Sequence, residues 1–396
     1  MANTYNKAEL WEPQILEAMA EGTFAAKYIT SNVKWLNADT FNFTTMATGG
    51  YGNHTANTWN TSVITQANVA YQLDHDRDVE FQVDKRFVDE TNSSASAANV
   101  TKTFIAEHAN PELDAIFFGK VSEVAIANSL SIDETPAVGT IYSLLKASLA
   151  KVRRYRKEQE VFISSEDMDL LERSSELTRK IEFTQVAQGG LALETRITAI
   201  DGTPIIEVTD PERFYTTPSY SDDTNAGEVG FDGDVAESSP INYIITDKAR
   251  CSIVPKINSI YFFAPGTHTK GDGWLYQNRS LSDAFVFPDG HRGIKSIYLS
   301  FDMRELTVTS VAGTSTGDTL ITLDTLIGNT DDYSYVYKTH ATVAPTFDFG
   351  SDLSTWTAWT YGDDITATTG HKITVAVVDE DDLAVSGGNG TVTSKA

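Results

Sequence analysis

Residues 37–70, NADTFNFTTMATGGYGNHTANTWNTSVITQANVA, are dominated by Thr, Asn and Gly and contain no lysine or arginine. The Thr, Phe, Val and Ile positions suit extended backbone, while Gly49, Gly50 and Gly52 punctuate the middle. The pattern predicts an extended hairpin with an irregular tip.

The chain leaves this segment through DHDRDVEFQVDKRFVDET, residues 74–91. Asp74, Asp76 and Asp78 fill the first, third and fifth places of a calcium loop. The glycine needed for its sharp turn is replaced by Val79, and the bidentate glutamate by Lys85. A strand accounts for the segment better. Val79, Phe81 and Val83 alternate with Glu80, Gln82 and Asp84, which puts the acids on one face and Arg77 on the other. Arg77, Lys85 and Arg86 then suggest ion pairs.

A helix is predicted near Pro13, with Ile15, Leu16 and Met19 at helical spacing. Longer helical spacing runs through Phe104, Ile105, Leu113, Ile116, Phe117, Val121 and Val124, and Pro111 is expected to kink or divide it. Another helix, 140–157, ends in KVRRYRKEQE, the densest basic cluster of the chain. A basic last turn complements the helix dipole, and phosphate contact is the alternative reading. Asp201-Gly202 marks a tight hairpin, and the acidic run 219–239 is expected to be a mobile solvated loop. Strands are predicted again over 241–301. Residues 307–396 change texture, to short alternating strands with net charge −9 against −16 for the rest, and predict a separate all-β sandwich.

The whole chain has 396 residues, long enough for two or three cores, and a net charge of −25. That balance argues against a general nucleic-acid binder. Cys251 is the only cysteine, which excludes an intrachain disulfide and a cysteine zinc cage. The N-terminal residues lack a signal-peptide pattern, and no apolar run reaches the ~20 residues that span a bilayer, so no membrane is implied. The seven histidines are scattered, with no HExxH, no phosphate-binding GxxxxGK[ST] and no GxSxG. No catalytic, cofactor-binding or metal-ligating set emerges, so a non-enzymatic chain without a cofactor is expected. Trp356, Trp359 and Tyr361 are either a sugar-stacking platform or core of the β domain.

The order of elements resembles the major capsid protein of tailed bacteriophages, with the Hong Kong 97-like capsid fold. The resemblance rests on residues 73–125 and 241–298, with AIDGTPIIEVTDPERF (199–214) between them. It implies an α+β fold with an N-terminal arm (1–36), an E-loop (37–84) and peripheral and axial domains (85–302), the spine helix lying at 92–130. Residues 303–396 would be an added C-terminal all-β, Ig-like domain, placed outside the shell as a decoration by its acidity and composition.

The implied function is self-assembly, as hexamers and pentamers, into an icosahedral shell around double-stranded DNA held by weak non-specific contact. The implied partners are further copies, a portal protein, decoration proteins and a separate scaffolding protein, since the arm-like helix begins within the first 15 residues. The implied location is the virion, after synthesis in the host bacterial cytoplasm. No lysine lies between Lys34 and Lys85, so an isopeptide weld through the E-loop is not expected. An encapsulin-like nanocompartment and a carbohydrate-binding surface protein remain the alternatives.

Overall fold

The computed structural model describes residues 23–30, 35–37, 39–84, 102–155, 158–175, 199–220, 230–289, 293–328 and 332–396. The predicted helix near Pro13 and the charges of Lys85 and Arg86 lie outside the described residues. The architecture is α+β, and the chain divides into two compact units.

The first unit comprises residues 1–124, 149–160 and 245–298. Its hairpin consists of strands Thr40–Thr48 (β1) and Ile64–Gln72 (β2), paired antiparallel from Thr40↔Gln72 to Thr48↔Ile64. Strand His75–Asp84 (β3) follows and pairs with the second arm of a long hairpin, Cys251–Phe263 and Gly273–Val286. The sequence pattern suggests two shorter strands in each arm of this long hairpin. A bulge at Pro255 lets one continuous strand pass a residue with no N–H to donate.

Helix Asn110–Ala127 (α1) is preceded by a π-helical turn, Ile105–Ala109, that continues the helical path. Pro111 therefore neither ends nor divides the helix. The Asn110 N–H bonds to the Ile105 carbonyl, and the widened turn accommodates the proline ring. Leu113, Ile116, Phe117, Phe118 and Val121 are all buried, so this helix is covered nearly all round. Asp114 is buried among them, accepting the Phe24 and Ala25 N–H groups at 3.1 and 3.0 Å. These bonds fix the chain just before the turn Ala26–Tyr28, whose tyrosine ring packs on Phe117.

The second unit comprises residues 125–148, 161–244 and 299–396. It holds most of a six-stranded sheet with the order Ser131–Asp133, Tyr298–Phe301, Ile241–Asp247, Gln159–Ser164, Thr203–Val208, Ala199–Ile200. Helix Ile141–Val152 (α2) buries Ile141, Leu145 and Leu149 at the predicted spacing. Ser164 caps helix Ser165–Arg173 (α3) by accepting the Asp167 N–H at 3.1 Å. The Asp201-Gly202 hairpin forms with positive φ at both turn residues.

Beyond Leu306 the chain forms a three-stranded and a four-stranded antiparallel sheet. Val308, Ile321 and Ile365 of the first pack with Tyr335, Trp359, Ile373 and Val375 of the second, as a sandwich core. This sandwich shares one compact unit with the six-stranded sheet. Phe349 meets Phe301 edge-on at 4.8 Å. The Leu306 N–H bonds to the Gly387 carbonyl, and the Gly387 N–H to the Arg304 carbonyl.

The expectation of a mobile loop over 219–239 is corrected in its second half. Val235 to Ser239 are buried, and Glu237 accepts the Gly328 N–H with both carboxylate oxygens. A buried carboxylate needs such a donor, and here it comes from the sandwich. Close approach also fixes Gly388, where a Cβ would meet the Leu306 carbonyl. Gly388→Ala should therefore destabilise the fold by about 1–3 kcal/mol, read from urea unfolding.

Candidate assembly interface

From Thr40 to Gln72 the sequence contains no Asp, Glu, Lys or Arg, within a chain that is 21% charged. Among the described residues no third strand joins β1 and β2. β2 is exposed along nearly its whole length. Trp59 is 96% exposed and Ile64 69%, and Tyr51, Val63 and Met46 are exposed as well. Asn60 Nδ2 donates to the Asn53 carbonyl at 2.8 Å and shapes the tip. Thr44 Oγ1 donates to Asn68 Oδ1 across the strands at 2.8 Å. An isolated two-stranded ribbon is marginal in water, so its order must come from its root or from a covering partner.

The root is aromatic. Phe43 stacks on Phe287 at 4.3 Å, and Phe41 meets Phe285 edge-on at 5.0 Å with Tyr71 alongside. Phe41 and Leu73 are buried with Val254 and Leu281 in the same cluster. Lys256 Nζ lies 3.5 Å from the centre of the Trp35 ring, closing the cluster's edge with a cation–π contact.

At the turn from β2 to β3 stands a polar joint. Asp283 Oδ2 accepts the Asp74 N–H at 3.3 Å and Oδ1 accepts the Ala284 N–H at 2.7 Å. His75 Nε2 lies 3.9 Å from the same carboxylate. Burial raises the Asp283 carboxyl to about 6 and holds the His75 imidazole below its ordinary range. Arg77 Nε donates to Glu112 Oε1 of α1 at 2.7 Å. Arg77 is thus paired inside its own chain, 35 positions away in sequence, and charge reversal there is expected to act on the fold.

The other face of β3 carries Asp76, Asp78 and Glu80 in an exposed column. Asp76 takes both Arg279 nitrogens, and Glu80 takes Lys270 and Gln277. Asp76 and Glu80 are thus held by side chains of the long hairpin and its loop. The arrangement offers no nucleophile paired with a base. Cys251 is fully buried, and burial pushes its thiol up to about 12, far above where a thiolate works. Among the described residues, no group of three or more His, Cys, Asp or Glu could hold a metal ion. Likewise, no described helix is long and apolar enough to cross a membrane.

The tryptophans of the sandwich are spent on packing. Trp359 is buried with its Nε1 donating to the Asp363 carbonyl at 3.0 Å, and Trp356 packs edge-on against Phe347 at 5.6 Å. Tyr361 leans on Trp359, so the three do not form a flat exposed platform. The ribbon root is invisible to local pattern, because Phe285 and Phe287 lie more than two hundred positions from Phe41 and Phe43. Its one signal is the phenylalanines themselves, recurring every second residue in both segments.

A family profile described as the S-layer protein SbsC C-terminal domain matches residues 311–395. No curated protein sequence matches the chain. The fold is similar to that of a solved structure from Mycobacterium phage Ogopogo, at 11% identity and a TM-score of 0.46, covering 71% of this chain and 92% of that one. It is similar to the bacteriophage PhiM1 mature capsid, at 13% identity and a TM-score of 0.48, covering 71% and 87%. A virus-like particle from Pyrococcus furiosus is similar at 8% identity and a TM-score of 0.40, covering 75% and 100%.

Two measurements test the joint. Arg77→Glu should destabilise the chain by about 1–3 kcal/mol in urea unfolding, and the swap Arg77→Glu/Glu112→Arg should recover most of that loss. Asp283 binds its proton more tightly when folded, so its stabilising contribution is present in acid and is lost as pH rises through about 6. His75 contributes in the opposite sense, losing stability as pH falls through its ordinary range. Asp283→Asn should flatten the stability profile between pH of about 4 and 6, by up to about 3 kcal/mol.

Proposed function

We propose that this chain is the shell-forming subunit of a tailed bacteriophage, a major capsid protein whose copies close by symmetry into hexamers and pentamers around the DNA genome. The observation that carries the reading is the ribbon Thr40–Gln72, which has no charge and which, beyond its root, exposes large apolar side chains that no described residue covers. In a subunit of net charge −25, like-charge repulsion opposes self-association. An arm without charges can lie across another copy at no Coulombic cost, and large exposed side chains such as Trp59 supply the contact energy. Many moderate interfaces of this kind, repeated by symmetry, hold a closed shell together without a covalent weld.

On this reading the ribbon is the E-loop, α1 and its π turn belong to the spine helix, and the six-stranded sheet belongs to the axial domain. The sequence resemblance over 73–125 and 241–298 supports that assignment. The sandwich is a decoration fused to the outer surface, and scaffolding and portal proteins are its partners in assembly. The carbohydrate-binding alternative loses its main support, since Trp359 is occupied in the core.

The test is assembly itself. The purified chain, with candidate scaffold, should form uniform shells in negative-stain electron microscopy. Trp59→Ser/Ile64→Ser should keep the far-ultraviolet circular dichroism of the parent while weakening assembly more than tenfold, at roughly 2 kcal/mol for a hot-spot residue. A wild-type chain that stays monomeric beside its scaffold overturns the proposal.

A further inference from the structure

We infer that residues 234–239 are a strap that couples the sandwich to the six-stranded sheet, so that loosening either one loosens the other. This coupling belongs to the single chain and stands without the shell reading. Strap and sandwich share a core, although the sandwich begins only at Leu306. Ala236 is fully buried in the same cluster as Leu306, Ile321, Trp359 and Ile373. Its N–H donates to the Leu326 carbonyl at 3.0 Å, and its own carbonyl accepts the Ser386 hydroxyl. Glu237, buried beside it, takes the Gly328 N–H at 3.1 and 3.2 Å. The approach there is so close that a Cβ on Gly328 would meet the Val235 side chain at 2.7 Å.

The other side of the strap is tied to the chain beside the sheet. The Thr216 N–H donates to the Ser239 carbonyl at 3.0 Å, and Thr216 Oγ1 accepts the Ser239 N–H at 2.9 Å. Ser238 Oγ accepts the Thr217 N–H at 3.1 Å. Arg304 pins both ends, with its guanidinium on Asp234 and its N–H on Ser239 Oγ. The covalent junction runs alongside, since the Asp302 N–H donates to the Pro240 carbonyl at 3.2 Å. Immediately after Pro240 the chain enters Ile241–Asp247, a central strand of the sheet that is buried at every position.

A tethered module has a polar linker and few bonds to the body that carries it. The strap has neither property. It is bonded on both sides, and Pro240, whose ring fixes φ, is all that separates it from the strand. There is no slack in which one side could move without the other. The sandwich core is incomplete without Ala236, and the strand Ile241–Asp247 starts from a segment that the sandwich grips. Coupling of this kind is reciprocal. A partner that distorts the sandwich reaches the sheet, and a shift of the strand reaches the sandwich.

The experiment is hydrogen exchange, read by mass spectrometry on the purified full chain. Ile373→Val trims a fully buried side chain of the sandwich core and should speed exchange in the strands Ser334–His340 and Lys372–Val378 about fivefold. The amides of Ile241–Ile244 should speed up by a similar factor, while those of α1 keep the rates of the parent. Gly328→Ala acts from the other side, by pressing a Cβ on Val235, and should speed exchange in both places. Val343→Ala, at an exposed position of the sandwich, should change neither. Unchanged exchange over Ile241–Ile244 while the sandwich loosens would overturn the coupling. An equal rise in α1 would overturn it as well, because the effect would then belong to the whole chain and not to the strap. Shells that fail to form leave these rates in the free chain as they are, so the two readings fail separately.

Discussion

The ribbon depends on its aromatic root. Two strands of nine residues span about 30 Å, and their own ladder cannot hold them in water. Phe41, Phe43 and Tyr71 give the ribbon a fixed origin by packing on Phe285 and Phe287 of the long hairpin. Each aromatic pair adds about 0.5–1.5 kcal/mol beyond its buried area, and several pairs share the same few rings. The direction of the ribbon is set there, and beyond it β2 and the tip are exposed.

Around that root the electrostatics divide by location. On the buried side Asp283 receives the turn and Arg77 ties β3 to α1. On the exposed side the acids of β3 are answered across strands by Arg279 and Lys270. These contacts serve the subunit's own geometry. The ribbon has no such charges, and that contrast is the physical argument for the assembly proposal: a strongly acidic protein exposes Met46, Tyr51, Trp59, Val63 and Ile64 on a segment with no charge to repel another copy.

Where the sequence was legible, the signal was local. The hairpin 37–70 followed from composition, the Asp201-Gly202 turn from its residue pair, and the sandwich from short alternating strands. The failures are long-range. Glu237 reads as one more acid in a solvated loop, because the Gly328 N–H that it accepts lies ninety-one positions on. Arg77 has closer candidates in sequence than Glu112, and only packing of the helix on β3 selects it. Pro111 reads as a break because the compensating π turn has no sequence mark. The tryptophans of the sandwich were ambiguous in principle, since a stacking platform and a core residue share one composition.

Hydrogen exchange at the ribbon amides, compared between the free subunit and the assembled particle, shows most directly whether the ribbon is an interface. Exchange should be fast over residues 40–72 in the free chain, except near the aromatic root, and the same amides should become strongly protected on assembly. Unchanged exchange in particles that form normally would contradict this, because the ribbon would then contribute nothing to what holds the copies together.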